Sequence, residues 1–178
     1  YKPAVLYSLY EAQHAALAEG ASMINDINAL RAPGALAAVA ASDAAVCLMH
    51  MQGTPGTMQQ HPSYADVVAE VKSFLQERVR AVLAAGIALE RIAIDPGFGF
   101  GKTPDHNLEL LRELGALRLL GRPIMLGTSR KSTLGRVLGD LPAADRLEAT
   151  LATTALGIVR GVDIVRVHDV QANVRAAR

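Results

Sequence analysis

Tryptophan is absent from the 178-residue sequence, aromatics total only 4%, and there is one cysteine. With so few rings, a buried interior must be built from Ala, Leu, Val and Ile, and a hydrophobic content of 51% supplies them. The lone Cys47 excludes a disulfide within the chain. Its place in the apolar run Val46–Met49 reads as a buried structural thiol rather than a nucleophile. A formal net charge of +1 gives no reason to expect nucleic acid or an acidic membrane surface as a partner. No apolar run approaches the roughly 18 residues of a membrane span, and nothing near Tyr1 resembles a signal peptide. A reducing, cytoplasmic setting is the expectation. The opening, without methionine and with Pro3 suited to a helix's first turn, reads as cut from something longer.

What is present is organised around residues 92–103, IAIDPGFGFGKT. Ile92, Ala93 and Ile94 form a short apolar run of the kind buried on both faces of a parallel sheet, and Asp95 ends it before a glycine-rich bend. Similar units lie on either side. The patterns predict strands at 23–27, 45–50, 91–95, 123–126 and 163–167. They predict helices over 3–19, from Pro33-Gly34 to Ala41, over 66–85, from an Asp105 cap to Gly121, around 133–138, over 142–160 and from Val170.

Five strand–helix repeats argue for a parallel sheet with helices outside it, within a single domain spanning 1–178. A doubly wound sheet begins in the same way. The barrel is favoured because no strand leads into a dinucleotide-type glycine motif, and because polar residues recur at strand carboxyl ends. A (β/α)8 barrel needs eight strands and about 250 residues, so the expected fold is an incomplete TIM barrel of about five βα units.

Strand alternation puts Asn25 with Ile27, Ala93 with Asp95, and Arg166 with His168 on shared faces. If these faces meet at one mouth, two halves result, with Met49 as an apolar wall. Asp95 with Asn25 suits a flat ligand edge presenting adjacent N–H donors. Arg166, His168 and the Ser129-Arg130-Lys131-Ser132 segment suit an anion such as phosphate. Each piece also has a plainer reading: a turn carboxylate for Asp95, a rim ion pair with Asp163 or Asp169 for Arg166, a structural role for His168 and for His50. GFGFGKT fails as a phosphate loop because Pro96 stands where glycine is required. TSRKS lacks the partner motifs of a Ser-Lys hydrolase, and the histidines show no metal-ligand spacing.

Taken together, INDI at 24–27, LMHMQGTPGTMQ at 48–59, DPGFGFGK at 95–102, GTSRKS at 127–132 and RVHDV at 166–170 resemble dihydropteroate synthase, a pterin-binding TIM-barrel family. The resemblance implies condensation of 6-hydroxymethyl-7,8-dihydropterin pyrophosphate with para-aminobenzoate, yielding 7,8-dihydropteroate and pyrophosphate in folate biosynthesis. It also implies Mg2+ as cofactor and a homodimer, and the family is the target of sulfonamides. By position it implies pterin contacts from Asn25, Ile27, Met49, Asp95 and Lys131, with Lys131 also near aminobenzoate, Ser132 and Phe100 beside the aminobenzoate site, and Gly99 among the substrate-binding residues. The anion pocket falls on Arg166 and His168, and the catalytic set on Lys131, Asp95, Arg166 and His168.

The resemblance also makes the chain the C-terminal portion of such a barrel. Three further strands, a metal-binding Asn, a pterin-binding Asp and a flexible loop would precede Tyr1, so no metal ligand is expected within this chain. Thr54 stands where the family often has Asn, and Tyr7 to His14 resembles roughly two extra helical turns. Two other readings stay open: a corrinoid-linked pterin methyltransferase, and a truncated barrel acting only as a binding module.

Overall fold

The computed structural model describes residues 10–178, with side chains from residue 13 onward. Residues 3–9 of the opening helix, and the Tyr7–Leu9 part of the proposed extra turns, lie outside the described residues. Within them, the chain runs α1 (Tyr10–Ala18), β1 (Met23–Asp26), α2 (Ala35–Ala40), β2 (Ala45–Met49), α3 (Val67–Ala84) and β3 (Ile92–Asp95). It continues through α4 (Pro104–Arg112), β4 (Met125–Leu126), α5 (Ser132–Val137), α6 (Leu147–Val159), β5 (Ile164–Val165) and α7 (Val170–Ala176).

All strand pairs are parallel. Met23 pairs with Ala45 and Asp26 with Leu48, then Val46 with Ile92 and Met49 with Asp95. A second sheet pairs Met125 with Ile164 and Leu126 with Val165. The isolated parallel bridge Ile94–Ile124 links the two, giving an arc of five βα units, an incomplete (β/α)8 barrel as expected.

The two strand faces carry different side chains. Ile24, Val46, Leu48, Ile92, Ile94 and Leu126 are buried in the main core, together with helix residues such as Val71, Leu75, Leu110 and Leu114. The opposite face holds a small cluster of Cys47, Ala93 and Met125, with Met23 and Ile164 packed against it. Every residue from Val46 to Met49 is buried, which explains why β2 reads as an unbroken apolar run rather than an alternating one.

Several boundaries move for identifiable reasons. Asp105 is not the cap of α4. Thr103 is, its hydroxyl accepting from the His106 N–H, because Pro104 occupies the first helical position, where its fixed φ fits and its missing N–H costs nothing. The expected helix to Gly121 breaks at Glu113, and residues 114–120 wind as 3-10 turns. That geometry stacks positions three apart and keeps both Leu114 and Leu117 buried. The 142–160 helix likewise opens as a 3-10 turn at Ala143–Asp145. β1 stops at Asp26, whose carboxylate accepts from the Asn28 N–H at 3.0 Å and the Leu30 N–H at 2.7 Å, turning the chain before Ile27. β5 is shorter than expected, although the Arg166 N–H still bonds the Leu126 carbonyl at 3.0 Å.

Candidate active site

The inward face of the arc brings together side chains contributed by separate strands. Asn25 of β1 sits buried and donates from Nδ2 to the Met125 sulfur of β4 at 3.7 Å. Met49 of β2 lies in register with Asp95 of β3, and both are buried. Asp95 Oδ1 accepts from the Gly97 N–H at 2.7 Å, while its other oxygen has no partner. The same is true of Asn25 Oδ1 and Arg166 Nε. Buried polar atoms in folded proteins are almost always paired, so three orphans on one face are exceptional.

Electrostatics tie the strands to the loops. Burial pushes the Cys47 thiol up, Asp95 adds to that rise, and Arg166 opposes it. Burial pushes Lys131 down to about 8, with Asp95 resisting and Arg166 assisting. One carboxylate and one guanidinium therefore act on the same buried thiol and the same ammonium. The ammonium of Lys131 bonds the Phe98 carbonyl and lies 4.5 Å from the Phe100 ring centroid. Gly99 leaves room for it: a Cβ there would stand 3.0 Å from Lys131 Cδ.

Arg166 is not a rim ion pair. Asp169 is bonded by Arg130 at 2.7 and 3.1 Å, and Asp163 accepts from the Ile124 N–H at 2.9 Å. The Arg166 guanidinium instead lies over Gly127, where a Cβ would stand 3.1 Å from Nη2. His168 is exposed, and its Nδ1 lies 2.9 Å from Ser129 Oγ. Ser132 is exposed at the first position of α5. Ile27 falls beyond β1 and lines a cleft of about 230 Å³ with Asn28, Met51, Gly53, Thr54 and Pro55, so the strand alternation that paired it with Asn25 does not extend to it.

Lys102, the last residue of DPGFGFGK, is a neighbour to which the sequence reading gave no role. It is buried, and its Nζ contacts His50 Nδ1 at 2.9 Å and the carbonyls of Gly97 and Phe100 at 3.0 and 2.9 Å. Burial pushes it down to about 7, and burial with the Lys102 charge pushes His50 down to about 3. His50 is thus a neutral structural histidine. Asn107 is a second unanticipated member: its Oδ1 accepts from the Gly99 N–H at 2.7 Å and its Nδ2 donates to the Thr133 hydroxyl at 3.1 Å. A mid-helix Asn beside no motif carried no signal.

Among the described residues, no group of three His, Cys, Asp or Glu side chains could hold a metal ion. No helix among them is long and apolar enough to cross a membrane.

The profile of the pterin binding enzyme family matches residues 8–168. Dihydropteroate synthase of Escherichia coli K12 is 46% identical over 159 residues, covering 89% of this chain and 56% of that protein. The Yersinia pestis dihydropteroate synthase, solved with a sulfonamide drug complex, superposes with a TM-score of 0.94 at 38% identity, over 99% of this chain and 65% of the other. The Xanthomonas albilineans enzyme, solved with 7,8-dihydropteroate, gives 0.91 at 45% identity, over 98% and 65%. The chain thus spans about 56% of the curated relative and 65% of the solved ones. With five βα units on one arc and a family match across most of its length, the chain belongs to the pterin-binding enzyme family and forms part of its (β/α)8 barrel.

Proposed function

We propose that this chain is the pterin- and anion-binding portion of a dihydropteroate synthase, a single unit that uses 6-hydroxymethyl-7,8-dihydropterin pyrophosphate and para-aminobenzoate. The observation that carries the reading is the trio of buried, unpartnered atoms Asn25 Oδ1, Asp95 Oδ2 and Arg166 Nε on one barrel face. Two acceptors answer an aminopyrimidine edge, and a donor answers a diphosphate. In this reading the pterin C–O bond breaks toward Arg166 and His168, which stabilise the departing pyrophosphate. The aminobenzoate nitrogen then bonds the pterin methylene carbon and loses a proton. Lys131 borders the pterin and, with Phe100, Gly99 and Ser132, the aminobenzoate; Met49 and Ile27 supply apolar walls.

Calorimetry with the pterin pyrophosphate tests this. Asp95→Ala should weaken binding roughly ten- to hundredfold, the worth of a charge-assisted hydrogen bond lost from a buried site. Equal affinity would end the assignment. Competition by free pyrophosphate separates this reading from a pterin methyltransferase, which has less need of an anion pocket.

Mg2+ is the family's implied ion. No group of three His, Cys, Asp or Glu side chains among the described residues fits it, and no step here runs through it. A homodimer belongs to the same proposal. Leu108, Leu134, Val137, Leu138, Ala149 and Ala152 line an apolar groove of about 370 Å³ between α4, α5 and α6, a surface that a second copy would cover. A cytoplasmic location completes it, in keeping with a free, buried Cys47.

A further inference from the structure

Ser129 and His168 are joined twice. The Ser129 Oγ accepts from the His168 backbone N–H at 3.2 Å and lies 2.9 Å from the Nδ1 of the same residue. A hydroxyl has one proton and two lone pairs. If Nδ1–H donated to this hydroxyl, the oxygen would accept twice and its own proton, in a nearly buried place, would meet no acceptor among the described residues. With the O–H turned toward Nδ1, which then acts as acceptor, every group is paired. A neutral imidazole accepting at Nδ1 must carry its proton on Nε2.

Adjacent contacts hold the same geometry from outside. Arg130 grips Asp169 with two bonds of 2.7 and 3.1 Å, and the Arg130 N–H donates to the Thr150 hydroxyl at 3.2 Å. Residues 129–130 of the loop after β4 are thereby pinned to residues 168–169 of the loop after β5. Ser129 itself is 7% exposed, so water does not compete freely for its hydroxyl, whereas the His168 ring is open to solvent.

We propose that Ser129 is a positioning residue that locks the His168 imidazole in its Nε2–H tautomer, so that the ring presents a hydrogen-bond donor to a diphosphate-type anion even when uncharged. This rests on the anion reading of Arg166 and His168 given above. A histidine with a free Nδ1 could present a lone pair at Nε2 and repel the same anion. Ser129 removes that state.

Long-range 15N–1H spectra of the imidazole, recorded without ligand about two pH units above the ordinary histidine pKa of about 6.5, read the tautomer directly. His168 is assigned by the signal lost in His168→Gln. The wild-type ring should be a single Nε2–H species, Ser129→Ala should show a mixture, and Ser129→Thr should restore the single species. Inorganic pyrophosphate should bind Ser129→Ala roughly three- to tenfold more weakly, with Ser129→Thr near wild type. A mixed or Nδ1–H tautomer in the wild type overturns the proposal whether or not any variant folds, as does an unchanged Ser129→Ala spectrum. If the tautomer behaves as described but His168→Gln binds pyrophosphate as well as wild type, the anion reading itself fails, and with it the role of Ser129 in that site.

Discussion

Lys102 Nζ lies 2.9 Å from His50 Nδ1, joining the glycine-rich bend after β3 to the end of β2. The amine bonds two carbonyls of that bend as well, so one buried cation sets the path of the backbone that carries Phe98 and Gly99 to Lys131. Burial holds the Lys102 amine down at about 7, and Lys131 at about 8, below the ordinary lysine value of 10.5. Between these limits the unfolded chain binds more protons than the folded one, so stability should rise as pH climbs from about 7 towards 10. Urea midpoints at the two ends of that window measure the rise. Lys102→Met should flatten part of it; a wild-type midpoint that stays level would contradict the burial of both amines.

Gly97 holds φ at +68°, and a Cβ there would meet the His50 carbonyl oxygen at 1.8 Å. Gly97→Ala should cost more than about 3 kcal/mol, combining left-handed strain with a backbone clash. Gly86 has φ +85° but open space around it, so Gly86→Ala should cost only about 1–2 kcal/mol. Thermal denaturation of the pair compares them, and similar losses would mean that the bend relaxes easily.

Gly127→Ala probes the guanidinium rather than the fold. The new methyl would press on Arg166 Nη2 and Nε at 3.1 and 3.3 Å, atoms at the flexible end of a side chain. Stability should change by less than about 1 kcal/mol, while pyrophosphate affinity should fall about tenfold as Arg166 is displaced. Unaltered affinity would show that the approach to Gly127 has no bearing on anion binding.

Asp26 is fully buried and accepts two backbone N–H groups. Asp26→Ala would strand both donors and should cost about 2–4 kcal/mol in chemical denaturation. Asp26→Asn retains one acceptor oxygen and should recover part of the loss. A neutral effect of the alanine would place these N–H groups in contact with water.

Strand order and the inward set were legible because buried parallel strands leave short apolar runs, and because alternation marks Asp95 and Arg166 as facing one way. Thr103 against Asp105 was not, since either residue can cap a helix and only Pro104 between them decides. The end of β1 was not legible either, since the Asp26 carboxylate turns the chain before Ile27, one residue short of the expected strand. Lys102 was invisible in another sense: its partners lie 52 residues upstream at His50 and in backbone carbonyls, which no side-chain pattern records. Ile92 to Ile94, by contrast, needed no tertiary information at all.

The two sheets meet at the isolated Ile94–Ile124 bridge, and the division falls between the proposed pterin and anion halves. Asn25, Met49 and Asp95 ride on one ladder, and Arg166 and the loop bearing Lys131 on the other. A molecule held by both would act as a staple across that seam, so amide hydrogens flanking it should exchange more slowly when it is present, while those deep in β2 keep the pace they had.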